Sequence, residues 1–342
     1  MRFNFVMKMK RVAYIGSFGH WPQVASEFRG RPDVETVGAA PAYAGESVEV
    51  FRDHSAFAEV PTLYASAADM LRSTRPDLAV VSTRPDQIAQ AAILAAEAGC
   101  STICEKPIGL VQVELDAVAA AVQKNGVQLL PMLSMRFDTV IIKARELFQA
   151  GAIGEAALIS AQKSYPFGNR PDWFGDRARY GGTLPWVGIH AVDMIQFVTG
   201  LEFVSVTARH TNFSHAEQSG CEDSCAALFE LTNGAVASVT ADLFRPSNAS
   251  TYGDDRIRVA GTEGMLEAIV NEGAVRLING DGEQMIAADS HAAPFYSRLL
   301  EQVDDDFPPV GPNDGFILTA AVLAARDSAD RNGDLIQIER ID

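Results

Sequence analysis

A chain of 342 residues exceeds the usual size of one hydrophobic core, so two domains are expected. Its formal charge of −16 argues against nucleic acid or an anionic membrane as the main partner, since either is gripped by clustered Lys and Arg; a small neutral substrate or a protein partner suits it better. Cys100, Cys104, Cys221 and Cys225 are too few for a disulfide scaffold, Met1 to Arg11 lacks the apolar core of a signal peptide, and no run has the length of a membrane span, which together point to the cytoplasm.

In chain order, Val12 to Ile15 is a buried-strand pattern that runs into Gly16-Ser17-Phe18-Gly19-His20, and Gln23 to Phe28 continues as a helix. Val34 to Ala40 predicts a second strand, Val48 to Ala56 a helical stretch, Thr62 to Tyr64 a short strand and Ser66 to Arg72 a helix. Leu78 to Thr83 is strongly apolar, and Pro85 to Gly99 is an Ala-rich helix with Pro at its start and Gly at its end. The strand from Ser101 stops at Glu105-Lys106-Pro107, because proline lacks an N–H and restricts the residue before it. A helix near Val113 to Gln123 and a strand at Val127 to Leu133 follow. This alternation predicts an α/β, doubly wound parallel sheet over residues 1–131.

In such a sheet ligands bind at the carboxyl ends of the strands. That edge collects Gly16, Ser17, Phe18, Gly19 and His20, then Thr83 and Arg84, then Glu105 and Lys106, as candidates to hold a dinucleotide. Phe18 and Trp21 replace the second and third glycines of G-x-G-x-x-G, and Ala40-Pro41-Ala42 ends the second strand without an acid for a ribose 2′-hydroxyl or an Arg for a 2′-phosphate, so NAD and NADP both remain open.

From residue 132 to 342 the pattern changes. Asp138 to Ala150 is an amphipathic helix, Ala157 to Ser164 a strand, and an aromatic-rich segment holds Tyr165, Phe167, Trp173, Phe174 and Tyr180. Strands are expected at Val204 to His210, Ser224 to Leu231, Ala235 to Leu243, Arg256 to Ala260, Met265 to Val270 and Ala274 to Ile278, with hairpin chemistry at Asn233-Gly234. Helices at Pro294 to Asp304 and Asp314 to Asp330, the second packing back towards the first domain, and a short terminal strand complete an α+β domain on a largely antiparallel open sheet. Helices on one face leave the other apolar face to pair with a second copy, giving a homodimer or homotetramer. His210, His215, Cys221 and Cys225 carry metal-ligand chemistry but not a finger spacing, and no metal is expected.

Tyr180 to Asp193 reads Tyr-Gly-Gly-Thr-Leu-Pro-Trp-Val-Gly-Ile-His-Ala-Val-Asp, and its second half opens a helix that ends at Gly200. His190 and Asp193, three apart, share a helix face, and an imidazole there suits proton abstraction near neutral pH. Glu105-Lys106-Pro107, Met135-Arg136-Phe137, Gly151-Ala152-Ile153-Gly154, Gly181-Gly182, Gly188-x-His190-x-x-Asp193 and Gly261-Thr262-Glu263-Gly264 together resemble the glucose-fructose oxidoreductase and inositol dehydrogenase family, Gfo/Idh/MocA. The resemblance implies a Rossmann domain that binds NAD or NADP, a sugar, cyclitol or related polyol as substrate, and Lys106 and His190 as the catalytic pair. Arg136, Tyr165, Tyr180, Trp186 and Asp193 are the candidates for the substrate side. Trp186 stands where the family's dehydrogenases commonly place an Asp, four residues before the histidine. Two readings follow: an NAD(P)-dependent polyol oxidoreductase, or an altered member that senses a ligand or cleaves glycosides with NAD.

Overall fold

The computed structural model describes residues 9–288, 294–297 and 313–339. Contacts divide the chain into two compact units, Met1–Met132 with Pro294–Gly315 and Leu133–Ala293 with Phe316–Asp342.

The first unit contains β1 (Lys10–Ile15), α1 (Trp21–Phe28), β2 (Val34–Ala40), α2 (Ala67–Thr74), β3 (Leu78–Val81), α3 (Pro85–Glu97), β4 (Ser101–Cys104), α4 (Gln112–Asn125) and β5 (Leu129–Pro131). Its sheet has the order β2-β1-β3-β4-β5, and every pairing is parallel. Strands covered on both faces should be apolar without alternation, and Leu78 to Val81 are all buried. The doubly wound reading therefore holds. Because β1 lies between β2 and β3, the chain reverses its direction of growth there, and the crevice at the carboxyl ends of β1 and β3 is where such sheets take ligands.

Two expectations for this unit are corrected. Val48 to Ala56 forms only a single 3-10 turn, Glu49–Phe51, because Phe51 is fully buried against Trp21 at 4.5 Å and Phe57 at 5.6 Å, and this cluster anchors an irregular loop. Thr62 to Tyr64 contributes one isolated bridge, Ala39 to Leu63, rather than a strand.

The second unit contains α5 (Thr139–Gln149), β6 (Ala156–Ser164), α6 (Arg177–Tyr180), α7 (Ile189–Thr199), β7 (Phe203–Thr211), β8 (Ser224–Leu231), β9 (Val236–Asp242), β10 (Arg256–Gly261), β11 (Gly264–Ile269), β12 (Ala274–Asn279), β13 (Gly282–Ala287), α8 (Asp314–Asp330) and β14 (Ile336–Gln337). The sheet order is β13-β12-β11-β10-β6-β9-β8-β7-β14, antiparallel throughout except for β6 against β9. Asp138 caps α5 by accepting the Val140 and Ile141 N–H groups. Strict alternation along β8 marks a sheet with one buried face, on which α5 and α7 pack, and the opposite face carries exposed Leu158, Leu228 and Val236. β13 escaped the sequence reading because five of its six residues are exposed and leave no core pattern. Of the helix expected from Pro294 to Asp304, residues beyond 297 lie outside those described.

Candidate functional site

In the first unit, the turn after β1 passes through two left-handed glycines, Gly16 at φ 85° and Gly19 at φ 105°. A Cβ at Gly16 would come within 2.5 Å of the Thr83 Cβ, and one at Gly19 would strike the Glu105 carboxylate, so both glycines let the turn lie directly on the ends of β3 and β4. Ser82 fastens it there: its carbonyl accepts the Phe18 N–H at 3.0 Å, and its hydroxyl donates to the Phe18 carbonyl and accepts the Trp21 N–H.

Glu105 is fully buried at the end of β4. Its Oε2 accepts the His20 N–H at 2.9 Å and lies 2.7 Å from His20 Nδ1, while Oε1 accepts the Lys106 N–H at 3.0 Å and lies 3.7 Å from Lys106 Nζ. Burial alone would push this carboxyl up, but the charges of His20 and Lys106 and the His20 hydrogen bonds outweigh it and hold the group at about 2. Lys106 is itself buried, so a cation, its carboxylate and the glycine turn form one assembly.

Glu46 is a member of this edge that the sequence reading missed. It sits in the loop after β2, where its Oε1 accepts the Ser17 N–H at 3.1 Å and the Thr83 hydroxyl at 2.8 Å, and its Oε2 accepts the Ala42 N–H at 2.7 Å. An acid thus stands six residues beyond the end of β2, bonded to the glycine turn and to Thr83. Arg84 pairs with Asp86 and stacks over the Tyr43 ring at 4.3 Å.

In the second unit, Leu184–Gly188 forms a π-helical turn that leads into α7, and residues 184–198 are buried without interruption. His190 is 5% exposed. Asp193 Oδ1 accepts from Arg136 Nε at 2.6 Å, and Arg136 also donates to Gln196 Oε1 at 3.3 Å. These two predicted substrate residues are thus joined to each other as a buried ion pair. Tyr180 Oη lies 3.0 Å from Thr183 Oγ1, Tyr165 stacks on Tyr252, and Trp186 meets Phe174 edge-on with ring centroids 6.4 Å apart. His215 is bound to Asp223 and His210 to Asp330, His210 lies opposite Cys225 across the β7–β8 ladder, and among the described residues no group of three His, Cys, Asp or Glu could hold a metal together.

Residues 10–132 match the oxidoreductase family with an NAD-binding Rossmann fold, and residues 141–267 match the GFO/IDH/MocA C-terminal domain. The chain belongs to the Gfo/Idh/MocA family. This Gfo/Idh/MocA protein is 28% identical to inositol 2-dehydrogenase of Rhizobium meliloti (strain 1021), over 75% of each chain. It is 25% identical to the mouse (Mus musculus) trans-1,2-dihydrobenzene-1,2-diol dehydrogenase over 61% of its own length and 60% of that enzyme's. A solved structure from Thermotoga maritima, named as an oxidoreductase, superposes with a TM-score of 0.88 at 31% identity, covering 96% of this chain and all of that one.

The Gfo/Idh/MocA first unit is an NAD-binding domain, and its own geometry bears on how the cofactor would be held. The Ser17, Phe18, His20 and Trp21 N–H groups are engaged by Glu46, Ser82 and Glu105, whereas the Gly19 N–H has no acceptor among the described residues. To a dinucleotide this edge offers the switch-point crevice, the Gly19 N–H and the Glu46 carboxylate, with fewer open loop amides than G-x-G-x-x-G would supply. No helix of the described residues is long and apolar enough to cross a membrane.

Proposed function

We propose that this protein is an NAD-dependent oxidoreductase acting on the CH–OH group of a carbohydrate- or cyclitol-like polyol. The observation that carries the reading is the buried Glu105–Lys106 pair with His20 bonded to the same carboxylate, which keeps a lysine on the NAD-binding edge of the sheet beside a carboxylate that is already fixed. A lysine so held is suited to donate a hydrogen bond to an oxyanion without first being ordered. The bound nicotinamide supplies a hydride acceptor for the carbinol carbon. His190 takes the hydroxyl proton, and Lys106 stabilises the oxygen as charge develops on it.

In this reading Gly16, Ser17, Phe18, Gly19, His20, Thr83, Arg84 and Glu105 belong to the cofactor edge, and Glu46 selects NAD over NADP by taking ribose hydroxyls and repelling a 2′-phosphate. Tyr165, Tyr180 and Trp186 offer ring faces to the polyol, and the Arg136–Asp193 pair ties the 3-10 turn at Ser134–Phe137 to α7, the helix that carries His190. Trp186 cannot accept a proton, so His190 works without the family's usual aspartate. The protein would act in the cytoplasm as a homodimer or homotetramer.

The test is a screen of cyclitols, pyranoses and sugar acids with NAD, read as NADH formation. Turnover that disappears in Lys106→Met and His190→Ala supports the reading. An absence of turnover on all of them, with ligand binding intact in His190→Ala, would favour the sensor.

A further inference from the structure

Arg170 lies in the loop between β6 and α6, half-buried. Its guanidinium carbon stands 4.6 Å from the Phe174 ring centroid, 5.0 Å from that of Phe167 and 6.0 Å from that of Tyr165. Rings line the cation, and of its N–H donors one is taken by the Tyr165 hydroxyl, which leaves the others for further partners. One of these, Nε, is buried and has no acceptor among the described residues, and no carboxylate there pairs with this arginine. Buried donors without acceptors are rare in native proteins and ask for a partner.

The polar groups around the guanidinium do not balance its charge. They are the Tyr165 and Tyr180 phenols and the Cys221 thiol, and burial raises all three, so each is neutral near pH 7. Phe174 links this cation to the predicted substrate residues, packing 4.5 Å from Tyr180 and edge-on against Trp186, four residues before His190. A chain with a net charge of −16 repels anions at long range, so an anionic substrate would need a local cation with no internal counter-ion. Arg170 meets that requirement.

We propose that Arg170 is the specificity residue of the substrate site and that the polyol taken there carries a carboxylate, as a sugar acid does. The inference rests on the polyol reading of the His190 site and adds the substrate's charge to it. A carboxylate presents two oxygens to guanidinium N–H donors, and the unsatisfied Nε is one that it can take.

The test compares a uronic acid with the aldose that differs from it only at the carboxyl carbon, by NAD-dependent turnover and by thermal shift, in the wild type, Arg170→Gln and Arg170→Lys. The expected result is a kcat/KM for the uronate higher by roughly ten- to a hundredfold, carried mainly by KM, collapsing in Arg170→Gln and partly restored in Arg170→Lys. Equal values for the two sugars, a preference that survives in Arg170→Gln, or a stronger preference for the matching sugar phosphate would overturn the proposal. If neither sugar is turned over but the uronate still stabilises the wild type and not Arg170→Gln, the redox reading fails and the carboxylate site stands. If neither is turned over nor bound, the carboxylate site fails too.

Discussion

His20 Nδ1 stands 2.7 Å from Glu105 Oε2, so a histidine on the glycine turn and a buried acid 85 residues later hold the base of the Lys106 side chain together. The folded protein keeps Glu105 ionised down to about 2, against an ordinary value of 4.5. A carboxyl depressed on folding contributes stability that is complete above its ordinary value and is lost as pH falls from about 4.5 towards 2. The contribution at neutral pH is about 3 kcal/mol. Urea unfolding between pH 7 and pH 2.5 should show this loss in the wild type and a flatter profile in Glu105→Gln. His20→Ala relieves part of the depression, so it should lower stability at neutral pH and flatten the acid limb, and an unchanged profile would argue that Lys106 alone holds the acid.

Glu46 joins the Ser17 N–H, the Thr83 hydroxyl and the Ala42 N–H, so it shares the glycine turn with Glu105. Glu46→Ser should weaken NADH binding by roughly ten- to a hundredfold, the range of one or two charge-assisted hydrogen bonds, and weaken NADPH less. Fluorescence titration of both cofactors reads the ratio. A ratio equal to that of the wild type would remove Glu46 from cofactor choice.

Lys106→Met and His190→Ala should each lower turnover by on the order of a hundredfold or more, as loss of a group that moves or stabilises a proton does. Cofactor affinity in His190→Ala should stay near that of the wild type. Trp186→Asp, which restores the family residue, should keep or raise activity on simple cyclitols. Steady-state kinetics on the best substrate from the screen decides all three.

Arg136 and Asp193 form a buried pair at 2.6 Å, with Arg136 3% exposed and Asp193 fully buried. Asp193→Ala leaves a guanidinium in the interior without its counter-charge and should destabilise the protein by about 3–5 kcal/mol. Replacing both residues by apolar ones should recover part of that loss. Chemical denaturation of the two variants checks it, and a double variant no better than Asp193→Ala would show that the site needs the charge.

Leu158, Leu228 and Val236 lie exposed on β6, β8 and β9, on the face opposite α5 and α7. Leu158 and Val236 are directly paired across the parallel ladder. Light scattering should give the mass of a dimer or tetramer, and Leu228→Glu should shift it towards monomer. A wild-type monomer at high concentration would rule the assembly out.

The alternating strands and helices of the first unit, the stop at Pro107 and the helix ending at Gly200 were legible in the sequence because each depends on local chemistry: apolar periodicity, a missing N–H, a left-handed cap. The cluster of Lys106 with the glycine turn was legible too, since the carboxyl ends of neighbouring parallel strands must lie together. Val48 to Ala56 was misread as a helix because its spacing is helical, while the packing of Phe51 against Trp21 and Phe57 is not a local property. Glu46 reaching Ser17 across 29 residues, Arg136 meeting Asp193 across 57, and Arg170 stacking on Phe174 beside Tyr180 and Trp186 were decided only by tertiary structure. A charge or a ring carries no period and no turn signal, so its partner is chosen by which loops the folded sheets bring side by side.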